Sequence, residues 1–153
     1  MNESLAEATD YLTCPTYPIV ELAPAFVDKR GAIQNLTTLG AQSVAVITSK
    51  RGTERASHIH KTDDHLAFVV SGRIEYWWQD VRVENGAVAD GGGGIHRVVV
   101  EAGQAFYTPR HVAHTMHFLD DTVFVTLSCR ARNHADHEAD LIRVPSLKAI
   151  GAA

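Results

Sequence analysis

The chain has 153 residues, a formal net charge of −4 and a hydrophobic fraction of 45%. This length suits one compact domain and is too short for two ordinary ones. The mildly acidic balance, without a run of lysine or arginine, argues against a nucleic-acid-binding surface, and no apolar segment is long enough to cross a bilayer. With no secretory leader and two cysteines far apart, we expect a cytoplasmic protein with reduced thiols whose partners are small molecules or a second copy of itself.

Three parts are expected along the chain. Prolines at positions 15, 18 and 24 predict an extended N-terminal arm over residues 1–40, which either completes its own sheet or crosses to a partner subunit. Apolar runs between turn residues predict strands through a core of about residues 41–130, with two of them around the glycine-rich tip at 91–94. The tail, residues 131–153, is expected to contain a short helix that packs outside the core.

Four histidines have the spacing of a metal site. Residues two apart on a strand share a face, so His58 and His60 point into one cavity while Ile59 packs behind them. His65 follows a short polar turn, so a hairpin returns it beside this pair. His114 must arrive from a distant segment, which requires a barrel or a sandwich. Imidazole nitrogens suit zinc, iron, nickel and copper, so the expected cofactor is a divalent metal whose identity stays open.

Other side chains are candidates for substrate contacts or for proton transfer. If His114 points inward, every second residue after it shares its face, and the two consecutive tryptophans must face opposite ways. The residues that could offer a flat apolar wall to a planar substrate are Tyr76, Trp77, Trp78, Met116 and Phe118. Three residues near the expected rim are candidates for acid–base catalysis or for anchoring an anion: Tyr107, Arg110 and His111. His111 is interpreted first as a turn residue and only second as an acid–base candidate. His134 and His137 are expected to be solvated in a polar tail.

With these residues in view, the chain resembles the cupin superfamily. Gly52, His58, His60 and Gly72 fall on the first cupin motif, with His65 where the glutamate of that motif belongs. The resemblance implies an all-β fold, a single-domain cupin (RmlC-like) jelly-roll β-barrel, and a homodimer. Because cupins carry many chemistries, the motif says more about fold and metal than about reaction.

The second cupin motif is matched in part. Gly103, Pro109 and His114 fall on it, whereas His111 replaces its glycine and Phe118 its asparagine. The resemblance covers about half of the chain, from residue 44 to residue 129.

His65 is expected to replace the missing glutamate, although Asp64 lies at the alternative spacing. His65 alone keeps the motif's distance to the following glycine, and it shares strand parity with the small residues Ala67 and Val69. Asp64 suits the turn, where a short carboxylate bonds local backbone. Four neutral imidazoles leave a divalent ion its full charge, and such an ion prefers an anionic oxygen ligand such as an enolate.

Four-histidine single cupins of this size resemble small metal-dependent cyclases of aromatic polyketide biosynthesis. The resemblance implies zinc as a Lewis acid and a poly-β-ketone or a partly cyclised aromatic polyketide as substrate, with ring closure followed by loss of water. A dioxygenase that uses iron, nickel or copper on a 1,3-diketone or quinol remains open, because the ligands are the same. A module that binds a small ligand without converting it is a third alternative.

Overall fold

The computed structural model describes residues 18–37, 40–130 and 133–153. The first part of the expected N-terminal arm, with Cys14 and Pro15, lies outside the described residues. The expectations placed on it, including reduced thiols, therefore remain predictions. None of the helices among the described residues is long and apolar enough to cross a membrane.

Strands dominate the described residues. In chain order they are β1 (Ile19–Val20), β2 (Phe26–Asp28), β3 (Gly31–Ile33), β4 (Ser43–Ser49), β5 (Glu54–His60), β6 (His65–Ser71), β7 (Arg73–Glu84), β8 (Ala87–Asp90), β9 (His96–Glu101), β10 (Ala105–Thr108), β11 (Val112–Phe118), β12 (Thr122–Ser128) and β13 (Leu141–Arg143). Two short helices lie in the C-terminal part: α1 (His134–Asp140) and α2 (Leu147–Gly151).

Two antiparallel sheets form the body of the molecule. One has the strand order β1–β10–β6–β12–β4 and the other β13–β5–β11–β7–β8, with β9 also paired to β7. Apart from the β7–β8 hairpin, most neighbours in each sheet come from distant parts of the chain, as the two halves of a jelly roll require. The expected all-β cupin fold is confirmed.

The main core lies between the two sheets. It contains alternate residues from six strands, because side chains two apart on a strand share a face. Its fully buried large members are Ile74, Tyr76, Phe106, Phe118 and Phe124. These side chains fill the middle of the barrel.

Each sheet also carries a smaller apolar cluster on its outer face. Leu66, Ala105 and Tyr107 pack with Val20 on the first sheet. On the second sheet, Ile59 and its neighbours pack against the C-terminal helix α2, so the prediction that Ile59 lies behind the two histidines is confirmed. Covering these faces fixes which side of each strand turns inward.

The glycine-rich segment differs from the expectation. Gly91–Gly94 links β8 to β9, and both of these strands pair with β7, so the segment is not the tip of a hairpin. The hairpin turn is Asn85–Gly86, with φ of 51° and 78°, between β7 and β8. Asn-Gly is the preferred pair for such a tight turn because both positions need positive φ.

The C-terminal tail contains a strand in addition to the expected helix. The predicted helix is present as α1, but it is followed at once by β13, which pairs with β5 from Leu141 opposite His60 to Arg143 opposite His58. Residues 134–143 therefore lie alongside the strand that carries the first two histidines, at the end of the barrel where those histidines are found.

Candidate metal centre

A β-bulge in β5 aims the first two histidines into the barrel. His114 pairs with His58 while the next residue, Thr115, pairs with Ala56, so Ser57 is one extra residue in β5. Ala56 and Ser57 have φ of 67° and 54°, a left-handed conformation that costs free energy in residues other than glycine. Because an extra residue shifts strand parity by one, the bulge turns the side chains that follow it toward the interior.

Five imidazoles meet at this end of the barrel. The ligand nitrogens of His58, His60 and His114 lie within 4.8 Å of one another, as do those of His60, His65 and His137, so His60 belongs to both triads. The rings of His60 and His65 stack with centroids 4.3 Å apart, and those of His58 and His114 are 4.7 Å apart, edge to face. All four predicted ligands thus enter one cluster, together with a fifth histidine, His137.

Hydrogen bonds orient His60 from behind. Its Nδ1–H donates to the Asp140 carboxylate over 3.0 Å, which leaves Nε2 for the cluster. The same carboxylate accepts bonds of 2.7 and 2.8 Å from the backbone and hydroxyl of Thr62. A histidine held in this way by a carboxylate is the usual arrangement around protein-bound metals.

His114 and His65 are oriented in a similar manner. The Nδ1–H of His114 donates to the carbonyl of Val112 over 3.2 Å, and the Nε2–H of His65 donates to Asp63 over 3.1 Å. Asp63 is almost fully buried and also accepts a short hydrogen bond from the Ser128 hydroxyl. The sequence analysis did not single out Asp63 or Asp140; a carboxylate beside a histidine-rich segment was the available signal for Asp63.

Four imidazoles of the cluster, those of His58, His60, His114 and His137, have lowered pKa values. Burial, followed by the neighbouring histidines, lowers the pKa of His60 to about 4 and that of His114 to about 3. The same causes lower the pKa of His58, and burial lowers the pKa of His137. Burial alone would raise the pKa of Asp140, but hydrogen bonds from Thr62 and His60 outweigh it and keep that carboxyl charged.

These residues fit a divalent metal. The Nδ1 atom of His58 is buried and has no hydrogen-bond partner among the described residues, which is costly unless a cation or a proton donor occupies the adjacent space. Neutral nitrogens with lone pairs directed into one space are the ligands that zinc and neighbouring transition metals prefer.

The three candidate acid–base residues are not gathered around the cluster. Tyr107 packs in the outer apolar cluster of the first sheet, and burial raises the pKa of its hydroxyl. Arg110 forms a two-pronged ion pair with the buried carboxylate of Asp64, at 2.7 and 3.3 Å, so it is not free to anchor a substrate anion. These contacts do not support the roles expected of Tyr107 and Arg110, which stay predictions.

His111 is a turn residue in the structure. It has φ of 62°, the conformation for which the second cupin motif keeps a glycine. Its ring is exposed and lies 3.0 Å from the carbonyl of Lys61, while its backbone N–H donates to the carbonyl of His60. These contacts fasten one turn to the end of β5 and account for His111 without an acid–base role.

Four of the five residues expected to form an apolar wall share one face of the barrel. Tyr76, Trp78, Met116 and Phe118 lie on the inner face, as strand parity predicts. Trp77 lies on the opposite face, where its indole N–H donates to Glu75 over 2.7 Å, so Trp78 is the one of the two tryptophans that faces inward. Tyr76 and Phe118 are fully buried core residues, which leaves the half-buried Trp78 and Met116 beside the cluster.

His137 was expected to be solvated, and this was wrong. It lies on α1 and is half-buried, with its ring centroid 5.6 Å from that of His60 and 5.7 Å from that of His65. His134, on the same helix, is exposed as expected. Nothing in the local sequence distinguishes the two, because their exposure depends on how the helix is docked.

The chain belongs to the cupin family. The family model described as the cupin domain matches residues 45–129, which is more than half of the chain and contains both histidine segments. A search of curated proteins found no match.

Solved structures of similar fold include epimerases and a ketoisomerase. A dTDP-4-dehydrorhamnose 3,5-epimerase from Sulfolobus tokodaii is 18% identical, with a TM-score of 0.60 over 77% of this chain and 78% of that one. A 3,4-ketoisomerase from Helicobacter canadensis is 17% identical, with a TM-score of 0.64 over 84% and 90%. ChmJ, a 3'-monoepimerase from Streptomyces bikiniensis solved with dTDP-quinovose, is 19% identical, with a TM-score of 0.67 over 85% and 70%. Identities this low show a shared fold alone.

Proposed function

We propose that this protein is a metal-dependent cyclase that closes a ring in a poly-β-ketone or a partly cyclised aromatic polyketide. The observation that carries the proposal is the cluster of imidazoles beside an apolar wall at one end of the barrel. His58, His60, His65 and His114 are the proposed ligands, with zinc as the first choice of metal and iron, nickel or copper as alternatives.

The charge of the donor set points to the substrate. A bound divalent ion would supply Lewis-acid stabilisation of an enolate formed from a β-dicarbonyl group. Because every ligand in the proposed set is uncharged, the site favours an anionic oxygen ligand more strongly than a set that includes a glutamate. Poly-β-ketones offer such oxygens at every second carbon.

The shape of the barrel limits how the substrate can enter. Tyr76, Phe106 and Phe118 fill the middle, so a substrate cannot pass deep between the sheets. Trp78 is half-buried, with its indole ring 5.2 Å from the ring of His96 and 5.7 Å from that of Tyr76. Both of these rings stack with the indole, so a planar polyketide would contact the part of Trp78 that they leave exposed and present its reacting carbonyls to the histidines.

The remaining contribution of the chain is positioning. Asp140 and Asp63 hold His60 and His65 by their outer nitrogens, so the imidazoles keep one direction while the substrate is bound. The apolar wall excludes water from one side, and a held, folded substrate reaches the ring-closing geometry more often than a free one.

The test begins with the metal. Protein purified without an affinity tag or added metal should contain a stoichiometric transition metal by elemental mass spectrometry, and removal of the metal should abolish cyclisation of a poly-β-ketone substrate. H60A should lose both metal and activity. Absence of metal from the wild-type protein, or cyclisation that survives chelation, would contradict the proposal.

The dioxygenase alternative uses the same ligands, and activity measurements on the metal-containing protein distinguish it from the cyclase. Oxygen uptake with a 1,3-diketone or quinol by protein that holds iron, nickel or copper would favour it over the cyclase. Binding of these compounds without turnover would favour a non-catalytic role.

A metal-free isomerase is a second candidate, and one observation favours it. His60 with Asp140 and His65 with Asp63 are carboxylate-oriented histidines, the arrangement of a general base, and the similar structures are epimerases and ketoisomerases. Against it, Arg110, a candidate cation for a diphosphate, is already paired with Asp64. Isomerase activity on a dTDP-keto sugar that is insensitive to chelators would establish this candidate.

We also propose a homodimer. Val44 and Val46, on the edge strand β4, are 63% and 69% exposed, and Phe26 and Ile33 of the β2–β3 hairpin are 60% and 61% exposed. Exposed apolar side chains grouped on an edge strand favour pairing with a second copy.

A further inference from the structure

Helix α1 brings to the cluster a histidine that belongs to neither cupin motif. The rings of His58, His60 and His65 lie 5.9, 5.6 and 5.7 Å from the ring of His137, between centroids. A ligand nitrogen of His137 lies within 4.8 Å of those of His60 and His65. Its ring lies farther out than the motif rings, whose centroids are 4.3–5.4 Å apart, but its ligand nitrogen meets the same 4.8 Å limit as theirs.

The position of His137 is held by the residue three places later. Asp140 lies on the same face of α1, because residues three apart on a helix are neighbours. Its carboxylate accepts from His60 and Thr62, and its backbone carbonyl accepts from Lys61 over 3.0 Å. The helix is therefore tied to the turn between β5 and β6, with His137 turned toward the imidazoles.

Strand β13 holds the helix from its other end. It begins directly after Asp140 and pairs with β5 along the residues that carry His58 and His60. Leu141, the first residue of β13, also caps α1 by donating its N–H to the carbonyl of Glu138. The helix is thus fastened at its C-terminal end to the strand of the first two histidines, and its face cannot turn without breaking these bonds.

We propose that His137 is a ligand of the metal centre, so that the C-terminal segment 134–143 forms part of the site and closes over the bound ion. The ligand nitrogens of the centre then come from β5, β6, β11 and α1. His60 belongs both to the triad with His58 and His114 and to the triad with His65 and His137. The ligand is a divalent transition metal that prefers nitrogen. This inference rests on the metal of the proposed function.

Cobalt(II) and a cysteine substitution test this directly. The thiolate of H137C, if it lies in the first coordination sphere, should give a thiolate-to-cobalt charge-transfer absorption that wild-type protein lacks. H134C is the matched control, because His134 is exposed on the same helix. The two native cysteines are present in all three proteins, so they cancel in the comparison. A new band in H137C and none in H134C is the expected result.

A second variant covers the case in which H137C does not fold. H137Q removes the imidazole and keeps a polar side chain of similar reach. We expect its affinity for Co²⁺, measured by competition with a chelator, to fall about 10- to 100-fold, whereas that of H134Q stays within about twofold of wild type. Hydrogen exchange adds an independent measurement: Co²⁺ should slow exchange of the α1 amides in wild type and not in H137Q.

The outcomes separate this inference from the proposed function. If wild type binds Co²⁺ and H137Q binds it with equal affinity, the role of His137 is refuted while the motif site stands. If H137C folds, binds Co²⁺ and lacks the charge-transfer band, the role is refuted in the same way. If wild type binds no transition metal, both the inference and the proposed metal-dependent function fail.

Discussion

His60 and Asp140 lie 80 positions apart in the sequence, and the Nδ1–H of His60 donates a 3.0 Å hydrogen bond to the Asp140 carboxylate. Both side chains are buried. This pair joins a core strand of the barrel to the C-terminal helix, and it sets the direction of the imidazole that belongs to both histidine triads. The contact makes the tail part of the site.

Removing the charge of Asp140 should weaken the metal site. D140N keeps the size of the side chain but replaces the charged acceptor of His60 with a weaker, neutral one. Metal affinity should fall about 10- to 100-fold, as for other residues that orient metal-bound histidines. Competition with a chelator measures it. The matched control is E138Q, because Glu138 on the same helix is exposed and pairs with Arg143. Equal losses in both variants would show that the effect comes from the helix in general.

Deleting Ser57 should abolish metal binding while the barrel still folds. Without the extra residue of the bulge, the strand parity of β5 shifts by one, so that His58 and His60 turn to the outer face. Elemental analysis and circular dichroism together check this expectation.

A glycine substitution provides the control for the bulge. Ala56 has φ of 67°, so A56G should retain the metal and raise the free energy of unfolding by up to about 1 kcal/mol. Full metal content in the Ser57 deletion would show that the bulge does not aim the histidines.

Substitutions of the two consecutive tryptophans should have different effects, one on substrate binding and the other on stability. W78A should raise the KM for an aromatic substrate about tenfold, through loss of a stacking surface, with a smaller effect on kcat. W77F should leave KM unchanged but lower the free energy of unfolding by about 1–2 kcal/mol, because the hydrogen bond from Trp77 to Glu75 is lost. Steady-state kinetics and urea denaturation distinguish the two. The opposite pattern would place the substrate on the outer face of the sheet.

The metal-free protein should lose stability in mildly acidic solution. The pKa of His60 is lowered from 6.5 to about 4 in the folded chain, so the unfolded chain binds more protons between these values. The contribution of His60 to the free energy of unfolding is therefore complete above pH 6.5. This contribution falls as the pH drops toward 4, by about 3 kcal/mol from His60 alone. Urea denaturation across this range measures it. The H60Q variant should show a shallower fall, and an unchanged slope would exclude His60 as a cause.

A charge on the β4 edge should split the proposed dimer. V46K places a lysine at a position that is 69% exposed, so it should cost the monomer little and prevent burial against a second copy. Sedimentation measures the mass in solution. V88K is the control, since Val88 is an exposed valine on another strand, β8. A wild-type monomer would refute the dimer, and a V46K dimer would move its interface elsewhere.

The sequence by itself predicted the fold class and the inward face of the strands that carry the histidines. The fold class followed from the resemblance to the cupin motifs, and the inward faces followed from the period of two along a strand, which is a local property. The same parity predicted that Ile59 packs behind the histidines and that Met116 shares the face of His114. The spacing of the cupin motifs predicted which histidine segments form the site, and the structure brings these segments together at one end of the barrel.

Only the tertiary structure decided which residues surround those histidines. Whether Trp77 or Trp78 faces inward depends on which side of β7 is covered by α2, and whether His137 is solvated depends on the docking of α1. The partners Asp63 and Asp140 follow from contacts across the fold, and burial, which arises only after folding, sets the low pKa values of the imidazoles. A sequence pattern with a period of two specifies the face of a strand but carries no information on which distant segment packs against that face.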